Sequence, residues 1–219
     1  MALIQLAFNS FLIGFSGAIM PGPVLAATIP AAVREGFVAG PLIVLGHGLV
    51  EVALVLLVVS SLGVALRRED SPLVRGIALV GGLMLLLMGG MMLRDLPHLS
   101  LTLTAQGQRG LALPPVLAGA LCSLSNPYFF LWWATIGLGL ITQALSGWGR
   151  LGVLIFYGSH VLSDLVWYSF VSGTIAVGKR ALSDSLYRGL IGVCAVALLL
   201  FGLRFFSAGV RGQLPGRKN

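Results

Sequence analysis

Two His-x-x-x-acid motifs lie deep inside hydrophobic stretches of this 219-residue chain. His47 precedes Glu51 in the first half. His160 precedes Asp164 in the second half. Residues four apart share one face of a helix, so each imidazole can hydrogen-bond or ion-pair with the carboxylate one turn later. An acid at the centre of a membrane helix costs on the order of 3 kcal/mol and usually marks an ion or substrate pathway.

Both pairs could also serve only to hold helices together by buried hydrogen bonds. Such contacts are usually made by Ser, Thr, Asn or Gln and do not need titratable groups. Histidine and carboxylate side chains carry protons in pumps and transporters, because their pKa values can be moved into the working range. The repetition of two ionisable pairs therefore favours a functional site within the bilayer.

A helix breaker precedes each pair. The first half carries Pro21-Gly22-Pro23, and the second half carries Asn126-Pro127 at a comparable depth. Proline removes a backbone donor and leaves a carbonyl without its helical partner. The half-helix that follows such a break directs its positive end at the unwound turn, which suits an anionic group such as a substrate carboxylate. One proline would indicate a packing kink, whereas matched breaks favour a binding site.

The two halves can be laid over each other. Gly22-Pro23 matches Asn126-Pro127 at an offset of 104 residues, and the His-acid pairs match at an offset of 113. The extra nine residues fit a longer link between the fourth and fifth helices, around 143–150. Because three spans per half reverse the orientation of the second half, the pattern predicts an inverted-topology repeat.

Composition places these motifs in a membrane protein. Hydrophobic residues make up 57% of the chain, charged residues only 10%, and the mean hydropathy is +0.98. A soluble domain has about a quarter of its residues charged. We therefore predict an all-α integral membrane protein with six transmembrane helices arranged as a 3+3 inverted-topology repeat.

Segments of about 20 apolar residues can span the bilayer. They are predicted near 4–32, 38–64, 72–93, 113–143, 151–176 and 184–207. The whole chain, 1–219, is then a single membrane domain: repeat 1 is about 1–93, a polar linker about 94–112, repeat 2 about 113–207, and a basic tail 208–219. The first basic residue is Arg34, so we interpret the apolar N-terminus as a retained first helix rather than a signal peptide.

The net charge of +7 does not indicate nucleic-acid binding, because the 14 Lys and Arg residues are scattered over the links and the tail. Such residues mark topology and headgroup contact. Counting them on each side gives eight against six and favours cytoplasmic termini. Cys122 and Cys194 form no C-x-x-C motif, so no metal cluster, disulfide framework or cofactor is expected.

At these motifs the chain resembles a known family. The run Ser16-Gly17-Ala18-Ile19-Met20-Pro21-Gly22-Pro23, the element Arg34-Glu35-Gly36-(x3)-Gly40 and the element Leu124-Ser125-Asn126-Pro127-Tyr128 resemble the LysE/RhtB amino-acid exporters. The resemblance implies export of amino acids or related small metabolites across the plasma (inner) membrane, driven by an ion gradient. Many members follow Asn-Pro with Lys, where this chain has Tyr128, so the resemblance does not fix any single amino acid as substrate.

We therefore expect one substrate- and ion-binding site in the middle of the membrane. Its predicted members are the two broken turns and the two His-acid pairs: Pro21, Gly22, Pro23, His47, Glu51, Asn126, Pro127, Tyr128, His160 and Asp164. The expected partners are an amino acid, a proton as coupling ion and the lipid bilayer, with a homodimer left open.

Two other functions stay open. A divalent-cation transporter of the same superfamily could use the two His and two carboxylates for Mn²⁺ or Cd²⁺, although no cysteine accompanies them for soft ions. An intramembrane enzyme could use His and acid as acid and base, but the chain places no nucleophile beside a base. A carrier of electrons between thiols is not expected, because it needs a cysteine in each half and the counterpart of Cys122 is Ala18.

Overall fold

The computed structural model describes residues 2–59, 72–101, 104, 113–178 and 183–211. Every regular element in these ranges is helical, which confirms the predicted all-α class. The helices are α1 (Leu3–Ala18), α2 (Pro23–Glu35), α3 (Ala39–Val59), α4 (Pro72–Asp95), α5 (Pro115–Leu124), α6 (Pro127–Trp132), α7 (Leu138–Gly178) and α8 (Asp184–Arg211). Short 3₁₀ turns follow α2 and α4, and the π-helical turn Trp133–Gly137 joins α6 to α7.

Both predicted helix breaks are present. α1 ends at Ala18, and after four intervening residues α2 begins with Pro23 in its first turn, where no N–H donor is needed. α5 ends at Leu124, and α6 begins with Pro127 in the same way. Each break leaves two to four residues of irregular chain between two half-helices.

The set of helix pairs that pack together stays the same when the helices of one half are exchanged for those of the other. α1 packs along α7, and α5 packs along α3. α3 and α7 also pack against each other, and α4 packs along α8. If α1 is matched with α5, α3 with α7 and α4 with α8, every one of these pairs maps onto a pair of the same set.

Glycines bring the helices of these pairs into backbone contact. A Cβ atom at Gly46 of α3 would overlap the backbone of Val116 in α5, and one at Gly119 would overlap the backbone of Ile43. Gly40 faces the Tyr168 carbonyl of α7 just as closely. Such close approach is typical of helix packing in membranes, where association relies on van der Waals contact.

Four helical stretches of the described chain are long and apolar enough to cross a membrane: Pro23–Leu57, Ala78–His98, Leu138–Gly178 and Asp184–Arg211. Two shorter apolar helices, Leu3–Ala18 and Pro115–Leu124, are the ones that end at the breaks. Large apolar side chains such as Leu56, Leu154 and Leu200 point outward from the fold. A multi-pass membrane protein accounts for these surfaces, since lipid rather than water then surrounds them.

The link predicted around 143–150 contains a kink at Gly149, with φ 59° and ψ −145°. α7 thus consists of two helices, 138–148 and 150–178, and the rest of the predicted link is helical. Glycine adopts a positive φ at little cost, so the chain can change direction at this residue. Most of the predicted linker beyond residue 101, the predicted span end 60–64 and the tail beyond 211 lie outside the described residues.

Candidate functional site

Four ionisable side chains converge where α3 crosses α7. His160 Nε2 lies 2.9 Å from Glu51 Oε1, and His47 Nε2 lies 3.2 Å from the same oxygen. His47 Nε2 is also 3.6 Å from Asp164 Oδ2. Glu51 and Asp164 are 1% and 4% exposed. The structure thus brings together the four side chains of the two His-x-x-x-acid motifs.

One of the two predicted pairings differs in the structure. His47 and Glu51 pair within α3 as expected, but His160 reaches across to Glu51 instead of pairing with Asp164 one turn later. The aspartate side chain is one methylene shorter than glutamate, and its Oδ2 carries no hydrogen bond. Contacts between the halves thus replace one contact within a helix.

Aromatic rings hold both imidazoles. Trp132 stacks on His160 with ring centroids 4.7 Å apart, and Trp133 approaches the same ring edge-on at 5.3 Å. Phe129 contacts the His47 ring edge-on at 5.3 Å. The π-helical turn Trp133–Gly137 begins at the second tryptophan. Packed imidazoles present their nitrogens in fixed directions.

The hydrogen bonds of His47 indicate how many protons the cluster carries. Ser123 Oγ donates to the Gly119 carbonyl, so it accepts from Nδ1–H of His47. The opposite nitrogen, Nε2, faces carboxylate oxygens of Glu51 and Asp164. A lone pair there would repel both carboxylates, so either His47 is an imidazolium or one carboxyl group is protonated. Either way the cluster holds one more proton than a neutral His47 between two ionised carboxylates would provide.

A cavity of about 100 Å³ opens beside this cluster. This volume has room for several water molecules. Nine of the ten predicted site residues line it: Pro21, Gly22, Pro23, His47, Glu51, Asn126, Tyr128, His160 and Asp164. The tenth, Pro127, is fully buried and packs against Gly81 of α4.

Several lining residues were not predicted from the sequence, among them Leu85, Phe129, Tyr168, Leu198 and Phe201. Leu85 and Leu198 are separated by the same 113 residues as the His-acid pairs, and this spacing is the only signal in the sequence that relates them. The spacing alone does not select them, because both are buried leucines and leucine is common in apolar helices.

The N-termini of the two half-helices α2 and α6 are capped differently at the cavity. Asn126 Oδ1 accepts a hydrogen bond of 3.1 Å from the Tyr128 N–H and so caps α6. Gly22 stands at the same place before α2 and offers no side-chain cap. The first N–H groups of a helix have no partner within it. The α2 terminus therefore keeps donors and a positive dipole end available to an anion.

Three polar atoms of the cluster are buried without a hydrogen-bond partner: Glu51 Oε2, Asp164 Oδ2 and His160 Nδ1. Buried polar atoms are normally satisfied. Two acceptors and one ring nitrogen beside a cavity can bind a ligand cation or exchange a proton.

A family model for LysE-type translocators matches residues 15–209, which include both broken turns and both His-acid pairs. The chain belongs to the LysE-type translocator family. This membership confirms the resemblance found in the sequence motifs and points to a transporter rather than an enzyme.

The chain is also similar to two curated proteins. The "Putative amino acid efflux protein YcgF" of Bacillus subtilis is 31% identical over 99 residues, which cover 45% of this chain and 47% of that protein. The chain thus spans about half the length of this relative. The "Chemotactic transduction protein ChpE" of Pseudomonas aeruginosa is 26% identical over 201 residues, covering 92% of this chain and 96% of that protein. No solved structure gives a significant match.

Proposed function

We propose that this LysE-type translocator is a secondary-active exporter of amino acids or related small metabolites, driven by the proton gradient of the plasma (inner) membrane. Family membership and the efflux name of a relative support export. The observation that carries the proposal is the cluster of two imidazoles and two buried carboxylates beside a cavity at two broken helices.

The cavity offers complementary places for the two ends of a zwitterion. The substrate ammonium binds at Asp164, whose Oδ2 has no hydrogen-bond donor of its own. The substrate carboxylate binds at the uncapped α2 terminus behind Gly22. Both groups line the same cavity. An amino acid would donate to Asp164 Oδ2 and accept from the first N–H groups of α2, neither of which has a hydrogen-bond partner of this kind in the described part of the chain.

Proton coupling follows from competition at the carboxylates. A proton and a substrate ammonium both neutralise Asp164, and burial makes it costly to leave that carboxylate without either. Protonation from one side of the membrane then releases substrate there, and deprotonation on the other side restores the binding site. His47, which bridges Glu51 and Asp164, relays the proton between them.

The architecture we propose is six membrane spans in a 3+3 inverted repeat, with cytoplasmic termini. Contacts of α4 with α8 support the repeat. A Cβ on Gly202 would press on Leu86 and the Gly82 carbonyl, and a Cβ on Gly89 would press on Leu199 and the Ala195 carbonyl. These two sets of contacts exchange under the 113-residue offset. Alternating access is then a rocking of α3 and α7 against α4 and α8 around the cavity.

Uptake into inverted membrane vesicles tests the proposal. Vesicles with and without the protein receive an imposed pH gradient and labelled Lys, Arg, Thr, homoserine or Leu. We expect accumulation of at least one compound that collapses when an ionophore removes the gradient. Equal accumulation in vesicles without the protein, for every compound, would refute amino-acid export.

A divalent cation is the second candidate substrate, because His47, Glu51 and Asp164 offer ligand atoms that all lie within 4.8 Å of one another. Imidazole and carboxylate ligands suit ions such as Mn²⁺. Mn²⁺ and Cd²⁺ are therefore included in the same vesicle assay. Accumulation of a metal without any amino acid would assign the cluster to metal transport.

A further inference from the structure

The cavity has a second wall that the proposed binding of ammonium and carboxylate does not use. Leu85 of α4 and Leu198 and Phe201 of α8 form it. Both leucines are buried, at 1% and 0% exposure. They belong to one apolar cluster, in which the Tyr128 ring stacks on Phe201 at a centroid distance of 6.4 Å.

This wall lies on a separate helix pair from the ionisable cluster. α4 and α8 pack along each other and meet the rest of the described fold chiefly through α6 and α2, the half-helices that follow the breaks. The ionisable residues belong to α3 and α7. When the charged atoms of a ligand reach Asp164 and the α2 terminus, the leucines on the other helix pair are available to its remaining atoms.

The charges around the cavity match a ligand with one positive and one negative group. Neither Lys nor Arg occurs among the described lining residues. Each carboxylate already has an imidazole within 4.0 Å. A ligand with an additional charge on its side chain would bury that charge against Leu85, Leu198 and Phe201. Burying an unpaired charge in an apolar environment is strongly unfavourable.

We propose that the substrate is a neutral amino acid with an apolar side chain, which rests on Leu85, Leu198 and Phe201. The inference depends on the proposed amino-acid export and narrows its substrate class. Those three residues determine which side chains fit, and cationic or anionic amino acids are poor substrates.

Transport by the purified full-length protein in liposomes with an imposed pH gradient tests the inference. Labelled alanine, valine, leucine, lysine, arginine and glutamate are compared at equal concentration. We expect initial rates for leucine or valine at least about tenfold above those for the three charged amino acids, the discrimination that an apolar pocket readily gives. Lysine or arginine moving as fast as leucine overturns the substrate class but leaves export standing. If none of the six moves, the inference fails, and amino-acid export fails with it only if threonine and homoserine do not accumulate in the vesicle assay either.

Substitutions in the wall give a second test. Leu198→Ala enlarges the cavity and is expected to shift the ratio of phenylalanine to leucine transport about tenfold toward phenylalanine. Leu200→Ala on the same helix is the matched control, because Leu200 is 63% exposed on the outside of the fold. Phe201→Leu opens the same wall and gives the same readout if Leu198→Ala does not accumulate in the membrane. An unchanged ratio in a folded wall variant would overturn the assignment of the wall.

Discussion

Glu51 and Asp164 occupy matching places on α3 and α7, yet their surroundings differ. Glu51 Oε1 lies 2.9 Å from one imidazole and 3.2 Å from the other. Asp164 reaches only His47, at 3.6 Å. The extra methylene of glutamate accounts for this difference in reach. We infer that Glu51 is the fixed counter-charge of both histidines, whereas Asp164 is the carboxylate that exchanges partners during transport.

The two broken turns also differ in whether their polar groups already have a partner within the protein. Asn126 caps its own half-helix, while Gly22 leaves the α2 terminus uncapped. The two groups that we propose to bind the substrate thus come from opposite halves: the α2 terminus from the first and Asp164 from the second. A pseudo-symmetric scaffold can bind an asymmetric zwitterion in one orientation because a few side chains break its symmetry.

Removing each carboxylate in turn should produce the largest effects and should separate the two roles. Asp164→Asn is expected to lower transport at least about 100-fold, because losing one partner of a buried charge pair costs about 3 kcal/mol or more. Glu51→Gln should abolish transport too, and it should also lower the unfolding temperature in detergent by at least about 5 °C, since two histidines lose their partner.

Membrane abundance by immunoblot and thermal unfolding in detergent accompany the transport assay for both variants. Equal losses of thermal stability would remove the distinction between a fixed and an exchanging carboxylate. Near-normal transport by both would contradict the assignment of the site itself.

Where the halves are alike, matched substitutions should have matched effects. Gly89→Ala and Gly202→Ala each force a methyl group against the facing helix, at 2.8 Å from the Ala195 carbonyl and 2.9 Å from the Leu86 amide nitrogen. Both are expected to destabilise the protein by about 1–3 kcal/mol, as overpacking does. Thermal unfolding in detergent measures the effect.

The controls lie on the same two helices. A methyl group added at Gly90 or Gly189 would enter open space, with no atom of the described neighbouring residues within 4 Å. Gly90→Ala and Gly189→Ala should therefore leave the unfolding temperature unchanged. A loss in only one of the two buried variants would argue against equivalent packing of α4 and α8 in the two halves.

The sequence predicted those features that conflict with an apolar helix. Pro21, Pro23 and Pro127 mark the breaks because proline has no N–H to donate to a helical hydrogen bond. Glu51 and Asp164 mark the site because lipid does not tolerate an unpaired carboxylate. Each of these residues is unfavourable in free energy inside an apolar membrane helix. Its position in the sequence therefore indicates a helix break or a polar site even without a structure.

The remaining features depend on contacts between helices that are distant in sequence. The bond from His160 to Glu51 joins residues 109 apart, and the bond from His47 to Ser123 joins residues 76 apart. Leu85 and Leu198 are ordinary apolar residues until packing places them at a cavity. Within the link predicted around 143–150, the structure keeps 143–148 helical and has its kink at Gly149, where glycine adopts a positive φ at little cost.

Exchanging the two acids tests whether side-chain length divides their roles. Glu51→Asp is expected to lower transport about tenfold, because a charge-assisted hydrogen bond to His160 is worth roughly 1.5 kcal/mol or more. The double variant Glu51→Asp with Asp164→Glu should recover part of this loss, since the longer acid then reaches both imidazoles from α7. Initial rates in vesicles measure both, normalised to membrane abundance. A double variant less active than Glu51→Asp alone would show that the halves cannot exchange roles.

Giving the first half the cap of the second should have the smallest effect. Gly22 has φ −133° and ψ −175°, extended geometry that an N-cap asparagine can adopt. In Gly22→Asn the new side chain would accept from the first N–H groups of α2 and compete with the substrate carboxylate. A cap is worth about 1 kcal/mol, so the half-saturating substrate concentration should rise roughly fivefold with little change in maximal rate.

Gly22→Ala is the matched control for this cap. Its Cβ would meet the Met20 carbonyl at 3.8 Å, an ordinary contact, and it supplies no acceptor. Concentration-dependent uptake should therefore be near normal for the alanine variant and right-shifted for the asparagine variant. If alanine shifts the curve as much as asparagine, bulk rather than capping causes the effect, and the α2 terminus is not where the substrate carboxylate binds.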